Sequence, residues 1–112
     1  YKIFLSPNRE QIIENTILRF NQMMKDGLLE EFKKNKDNVK NCNISKAIGF
    51  KELNDYFLGK SSLLNLSVKV LQNTRKYAKR QFTWFNNRYK PQVKIDSYKK
   101  TSLILESLSK II

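Results

Sequence analysis

Apolar residues recur along most of this chain at intervals of three and four, the spacing that turns one face of an α-helix toward a core. Ile13, Ile17, Phe20 and Met24 set the first stripe, with Thr16 and Met23 beside it. Asp26-Gly27 supplies a C-terminal stop, so a helix is predicted over about residues 8 to 25. Ahead of it, Lys2 to Leu5 reads as a short strand, and Ser6-Pro7 offers an N-cap followed by proline at the first helical position. Leu28, Leu29 and Phe32, with Glu30-Glu31 ahead of Lys33-Lys34, predict a short helix whose charge order suits the helix dipole. Asn35 to Asn43 is mostly Lys, Asn and Asp, residues that compete with regular structure, and predicts a mobile loop. A further helix is expected at about 45 to 58, carrying Ile48, Phe50, Leu53, Tyr56, Phe57 and Leu58, and ended by Gly59.

The longest helix is predicted at about residues 62 to 88, capped by Ser61. On a wheel of 100° per residue, Leu64, Val68, Leu71, Ala78, Phe82 and Phe85 form one seam, which Leu63, Val70, Tyr77 and Trp84 extend to one side. Lys69, Lys76, Lys79 and Arg80 take the remaining arc, so the helix packs on neighbours while turning a cationic strip outward. Pro91 closes this region. Val93-Lys94-Ile95-Asp96 suggests a second short strand, and Ser97 or Thr101 begins a last helix running to Ile112. The pattern is that of a mainly α fragment with short terminal strands, one unit over residues 1–112, without internal repeats.

Charge narrows the choice of partner. With 22 basic and 10 acidic residues among 112, a net +12, the chain suits nucleic acid, an anionic membrane surface or an acidic protein. Lysine supplies 17 of those cations in a chain rich in Asn and Ile, a bias that AT-rich coding sequence produces on its own. Arginine is therefore the more telling residue. Arg75, Arg80 and Arg88 all fall in Thr74–Arg88, where cations alternate with Tyr77, Phe82, Trp84 and Phe85. Cations grip phosphates whatever the sequence, while flat rings and forked guanidinium or amide groups engage unpaired bases, so the mixture fits a single-stranded or looped nucleic acid. Phe82 and Phe85, on the seam, are first of all core candidates, whereas Trp84 at its edge is the better ligand candidate. Arg75 lies about 20° from Leu64 on the same wheel, inside the apolar arc, and there needs a carboxylate, carbonyls, a phosphate or a snorkelled stem to offset desolvation.

Lys46-Ala47-Ile48-Gly49-Phe50-Lys51 sets a glycine between two lysines, where a backbone can approach a sugar–phosphate chain or a neighbouring helix. Chemistry is missing around it. Gly27, Gly49 and Gly59 are isolated, so neither a phosphate loop nor a dinucleotide fingerprint is present. Zero His and the single Cys42 leave no Ser-His or Cys-His pair, no internal disulfide and no Cys/His zinc site, and a reducing, cytoplasmic setting is expected. No apolar run reaches the roughly 18 residues needed to span a bilayer. The chain starts at Tyr1 with what reads as the last strand of something larger, and is expected to be a piece.

Four blocks carry a resemblance. Met24-Lys25-Asp26-Gly27-Leu28-Leu29-Glu30-Glu31, Ala47-Ile48-Gly49-Phe50-Lys51-Glu52-Leu53, Tyr56-Phe57-Leu58-Gly59 and Thr74 to Phe85 (Thr-Arg-Lys-Tyr-Ala-Lys-Arg-Gln-Phe-Thr-Trp-Phe) occur in the order and approximate spacing of the C-terminal third of bacterial tRNA dimethylallyltransferases. The resemblance spans about residues 3 to 96. It implies transfer of a dimethylallyl group from dimethylallyl diphosphate to N6 of the adenosine 3′ of the anticodon, with magnesium assisting the diphosphate. It also implies an α/β P-loop-like parent, expected to be a monomer, whose diphosphate site and catalytic base lie in an N-terminal part that this sequence lacks. By that resemblance the anticodon stem-loop is contacted from Lys46, Ala47, Ile48, Gly49, Phe50 and Lys51, and from Lys79, Arg80, Gln81, Phe82, Thr83, Trp84, Phe85 and Asn86. Arg19 resembles an arginine aimed at the diphosphate, and Arg75 joins Lys79 and Arg80 as a phosphate ligand. The 112 residues alone are expected to be inactive. Two other readings stay open: an autonomous helical RNA-binding module, and a non-catalytic subunit that docks on a separate N-terminal half. Membrane binding through the basic helix is disfavoured, because packing accounts for its apolar face.

Overall fold

The computed structural model describes residues 2–39, 41–95 and 101–110. Strand β1 (Ile3–Leu5) pairs in parallel with β2 (Val93–Ile95), in the register Ile3 with Val93, Phe4 with Lys94 and Leu5 with Ile95. Asp96 and Ser97 lie outside the described residues. Parallel strands need a crossover, and here the crossover is the whole helical body. The sheet reaches one residue further than the strands. Ser6, expected to cap the first helix, instead donates its amide to the Ile95 carbonyl at 2.6 Å and is buried. The cap passes to Asn8, whose Oδ1 accepts the Gln11 amide at 2.8 Å, and α1 runs Arg9–Lys25.

Two boundaries differ from expectation for identifiable reasons. The predicted short helix and the first part of the predicted loop, residues 35–39, merge into one helix, α2 (Leu28–Val39), while Asn41 and Cys42 stay irregular. Buried Phe32 anchors its first turns, the Asn35 amide donates to the Glu31 carbonyl at 2.9 Å, and Lys36 Nζ sits 5.6 Å from the Phe57 ring centroid. Side chains counted as loop formers are thus spent on the helix itself. In contrast, the helix expected at 45 to 58 is broken. A 3₁₀ turn spans Asn43–Lys46, Ala47 is extended, and Gly49 takes φ 95°, so that α3 covers only Phe50–Phe57. A Cβ at Gly49 would meet the nearer Val70 methyl at 3.8 Å, an ordinary contact; the left-handed backbone is what calls for glycine.

Helix α4 (Leu63–Trp84) is the spine, 22 residues and so about 33 Å long. Ser62, not Ser61, caps it, accepting the Asn65 amide at 3.2 Å. Its last stretch is a π-helical turn, Phe85–Tyr89, rather than α-helix to residue 88, and Lys90 at φ 46° then redirects the chain into β2. Helix α5 (Thr101–Ser109) follows. No helix among the described residues is long and apolar enough to cross a membrane.

The core gathers one or two residues from each of α1 to α4: Phe20, Phe32, Leu53, Leu66 and Val70. Leu66 is fully buried. The seam predicted for α4 holds in part: Leu71 packs against the core and Val70, from the predicted extension, is buried, but Leu64 is 73% and Val68 44% exposed, and Leu66, which the seam leaves out, points inward. Apolar residues surround this helix on nearly every side, so its wheel has no single apolar face to choose. Arg75, assigned to a desolvated arc on the strength of that seam, is exposed and needs no buried counter-charge.

The Phe82 and Phe85 face of α4 meets the sheet. Phe4 stacks on Phe85 at 5.5 Å and tilts against Phe82 at 6.0 Å, and Lys94, opposite Phe4, lies 5.5 Å from the Phe82 ring. Both rings pack on the sheet without entering the core, Phe85 half-buried and Phe82 still 39% exposed. The two leucines of α4 provide a direct check on the phase. Leu66→Ala should cost about 3 kcal/mol in urea denaturation, as expected for a cavity at a fully buried site, whereas Leu64→Ala should stay within about 0.5 kcal/mol. Reversal of that order would restore the predicted seam.

Candidate nucleic-acid interface

The face of α4 that enters the core at Leu66 and Val70 continues past the point where its partner helices end. At 100° per residue, Tyr77, Arg80 and Trp84 follow Leu66 and Val70 within about 40° on either side of Leu66, and Arg88 follows in the π-helical turn. Beyond Thr74 that face is no longer covered: Tyr77 is 46% and Trp84 51% exposed. One helical stripe is thus core at one end and open surface at the other.

Two depressions flank this stripe. The first, about 380 Å³, lies where the 3₁₀ turn and α3 diverge from α4, and is lined by Ser45, Lys46, Ala47, Ile48, Lys51 and Glu52 on one side and by Asn73, Lys76 and Arg80 on the other. The break at Gly49 creates it, because a continuous helix from residue 45 would keep Lys46 and Lys51 on one cylinder. The second, about 450 Å³, is bounded by Lys79, Arg80, Thr83, Trp84, Asn87 and Arg88. Arg80 belongs to both and also lies 5.8 Å from the Tyr77 ring centroid. The two depressions make one continuous basic track along the helix.

The cations of this track are not neutralised by neighbours. Among the described residues the ion pair formed is Lys110–Glu106 at 3.7 Å, exposed and remote in sequence. Inside the first cleft the contact between polar side chains is uncharged on one side: Asn73 Nδ2 donates to Glu52 Oε1 at 2.5 Å, tying α4 to α3. Trp84 is held edge-on by Phe85 at 5.0 Å, which fixes its plane while leaving half of its surface exposed. Several cations without acidic partners among the described residues thus stand beside one half-exposed ring, the combination of groups that suits a polyanion carrying flat groups.

The predicted residues divide accordingly. Lys46, Ala47, Ile48 and Lys51 come together with Arg80, and Lys79, Arg80, Thr83 and Trp84 share the second groove. Gly49 is buried at the start of α3 and acts through backbone shape. Phe50 turns away into the core, its ring edge-on to Phe32 at 5.1 Å. Gln81 is exposed beside the stripe, while Asn86 accepts from Lys94 Nζ at 3.0 Å on the sheet side with Phe82 and Phe85. Neither Arg75 nor Arg19 lines either depression. Both are exposed. Sequence reasoning missed Glu52 and Asn73, since a pair separated by 21 residues leaves no periodic trace, and passed over Ser45 and Asn87.

The IPP transferase family model matches residues 1–88. The tRNA dimethylallyltransferase of Streptococcus gordonii is 46% identical over 86 residues, and that of Streptococcus mutans 44%, each alignment covering 77% of this chain and 29% of the relative. The chain therefore spans about three-tenths of the length of the curated relatives it matches. Among solved structures, the full-length tRNA isopentenylpyrophosphate transferase of Bacillus halodurans superposes with a TM-score of 0.86 at 30% identity, over 98% of this chain and 37% of that one. The corresponding Staphylococcus epidermidis enzyme gives 0.83 at 28% identity.

Because the cleft owes its shape to the backbone at residue 49, Gly49→Ala should destabilise the fold by about 1 to 2 kcal/mol through its left-handed φ. Thermal unfolding measures this, and an unchanged midpoint would mean that the turn relaxes without strain.

Proposed function

The chain belongs to the IPP transferase family, and from that premise we propose that it is the C-terminal, RNA-gripping part of a tRNA dimethylallyltransferase. The observation that carries the reading is the uncovered end of α4, where Lys76, Lys79, Arg80 and Arg88 stand without acidic partners among the described residues beside the exposed Trp84. Lysine and arginine there neutralise phosphates, and Trp84 stacks an unpaired base of the anticodon loop. Lys46 and Lys51 approach from across the cleft. The names of the relatives supply the substrate class, tRNA, and a reaction of prenyl transfer. In that reaction N6 of the adenosine 3′ of the anticodon takes the dimethylallyl carbon of dimethylallyl diphosphate, diphosphate leaves, and N6 gives up a proton. The setting is the cytoplasm.

Nothing in this chain's interface performs those bond changes. The cleft is a cationic grip with one carboxylate, and no group of three His, Cys, Asp or Glu that could hold a metal occurs among the described residues. A cleft dominated by cations, with Glu52 as its one carboxylate, is a poor set of oxygen donors for magnesium, and in the reading proposed here the ion, the P-loop-like diphosphate site and the base belong to other parts of the parent fold. Arg19, exposed on α1, is the residue of this chain left for the diphosphate.

A second reading, a non-catalytic subunit docking on a separate N-terminal half, is favoured by one observation. Leu64 and Val68 on α4 and Leu18 on α1 are exposed, and two parallel three-residue strands form a sheet too small to stand uncovered. Both readings share the same RNA surface.

Labelled anticodon stem-loop RNA, titrated at two salt concentrations beside an equally charged unrelated hairpin, tests that surface. Preference for the anticodon loop at the higher salt is expected. The double variant Lys79→Ala/Arg80→Ala should weaken binding and flatten the slope of log K against log salt by about 1.5 to 2, as for two lost phosphate contacts. Trp84→Ala should cost about 1 to 3 kcal/mol of affinity with the salt slope unchanged, the mark of lost stacking. Equal affinity for both hairpins, abolished by salt, would reduce the surface to a nonspecific polycation.

A further inference from the structure

The first cleft attracts anions with Lys46, Lys51, Lys76 and Arg80, yet its wall also holds a carboxylate, Glu52. Glu52 is half-buried, accepts from Asn73 Nδ2, and pairs with none of those cations among the described residues. An ionised carboxylate has about four acceptor sites, and one hydrogen bond to Asn73 leaves the others free. Placed there, it repels a phosphate at its own position and rewards a ligand that brings a hydrogen-bond donor next to its phosphate. The cleft contains no aromatic ring, its apolar wall being Ala47 and Ile48, whereas Trp84 lies in the adjoining groove on the other side of Arg80. A base has its stacking surface next door. What the cleft itself offers is cations for a phosphate and an acceptor for a hydroxyl.

We propose that Glu52, held in place by Asn73, accepts a hydrogen bond from a ribose 2′-hydroxyl whose adjoining phosphate is bound by Lys51, Lys76 and Arg80, so that this cleft distinguishes RNA from DNA. The 2′-hydroxyl is the group by which a protein tells the two polymers apart at a given position. The proposal rests on the RNA-binding reading above and assigns a sugar-reading residue within it.

Fluorescence anisotropy with a labelled stem-loop RNA and its all-2′-deoxy counterpart of identical bases tests it on the 112-residue chain. A hydrogen bond to a charged acceptor predicts a preference of about tenfold for RNA in the unaltered chain. Glu52→Gln keeps an oxygen for Asn73 and so keeps the link between α3 and α4. It should raise affinity for the deoxy hairpin more than for RNA, shrinking the preference to less than about threefold. Asn73→Ala, which unties Glu52 without changing charge, should lower RNA affinity and leave the salt slope as it was. If Glu52→Gln strengthens both polymers equally with their ratio unchanged, Glu52 acts by charge alone and the proposal is overturned. Equal affinity of the unaltered chain for both polymers also overturns it while leaving RNA binding standing, whereas binding of neither removes both readings.

Discussion

Leu66 gives up all of its accessible surface because α4 is held by α1 on one flank and by α3 on the other, with α2 closing the core through Phe32. Burying a leucine side chain contributes about 2 kcal/mol, but its larger effect is positional. Once Leu66 and Val70 are locked inward, every other residue of a 22-residue rigid helix has its direction set at 100° per step. Arg80 and Trp84 point where they do because Leu66 is buried about four and five turns earlier. The interface is held by a core contact that it does not touch.

That rigidity matters because the surface is electrostatically costly. A net charge of +12 on 112 residues, with a single weak ion pair among the described residues, leaves the folded chain repelling itself. Rim lysines avoid most of the penalty by staying in water, where screening over about 8 to 10 Å dilutes their mutual repulsion. Arg80 and Lys76 stand about one helical turn apart on the same wall of a cleft. There the Glu52–Asn73 link supplies the one negative charge, and in the proposed function a bound RNA would supply the rest, so that binding would also relieve self-repulsion.

The sequence made the element types legible because local cues agreed with the tertiary outcome: the 3,4 spacing of α1, the extended run at Val93–Ile95, the stop at Asp26-Gly27. Legibility failed where tertiary contacts decided. Ser6 is a good cap by residue type, yet it prolongs the sheet by donating its amide to Ile95, so the helix starts later and Asn8 is the residue placed to cap it. Asn35 and Lys36 look like loop residues, but each found a partner within the helical body. The seam of α4 was misread in part because Leu64, Leu66, Val68 and Val70 all offer apolar side chains, and only the placement of α1 and α3 chooses among them. Arg75 was misassigned with that seam. For the interface, the cationic strip and Trp84 could be read from the helix wheel, while the cleft could not, since it exists through a left-handed glycine and a contact between residues 21 positions apart.

The aromatic cluster shows how one helix separates support from recognition. Phe82, Trp84 and Phe85 are close in sequence, and composition alone would assign them one role. The helical step instead sends Phe82 and Phe85 toward Phe4 and the sheet, and leaves Trp84 on the stripe shared with Arg80. Phe85 does both jobs: one face stacks on Phe4 and its ring meets Trp84 edge-on. The sheet therefore fixes the plane of the exposed indole through a single intervening ring. An indole oriented by its neighbours loses less rotamer freedom on binding, and in the proposed function such a ring beside unpaired cations would turn a nonspecific attraction for phosphate into a preference for nucleotides whose bases are free to stack.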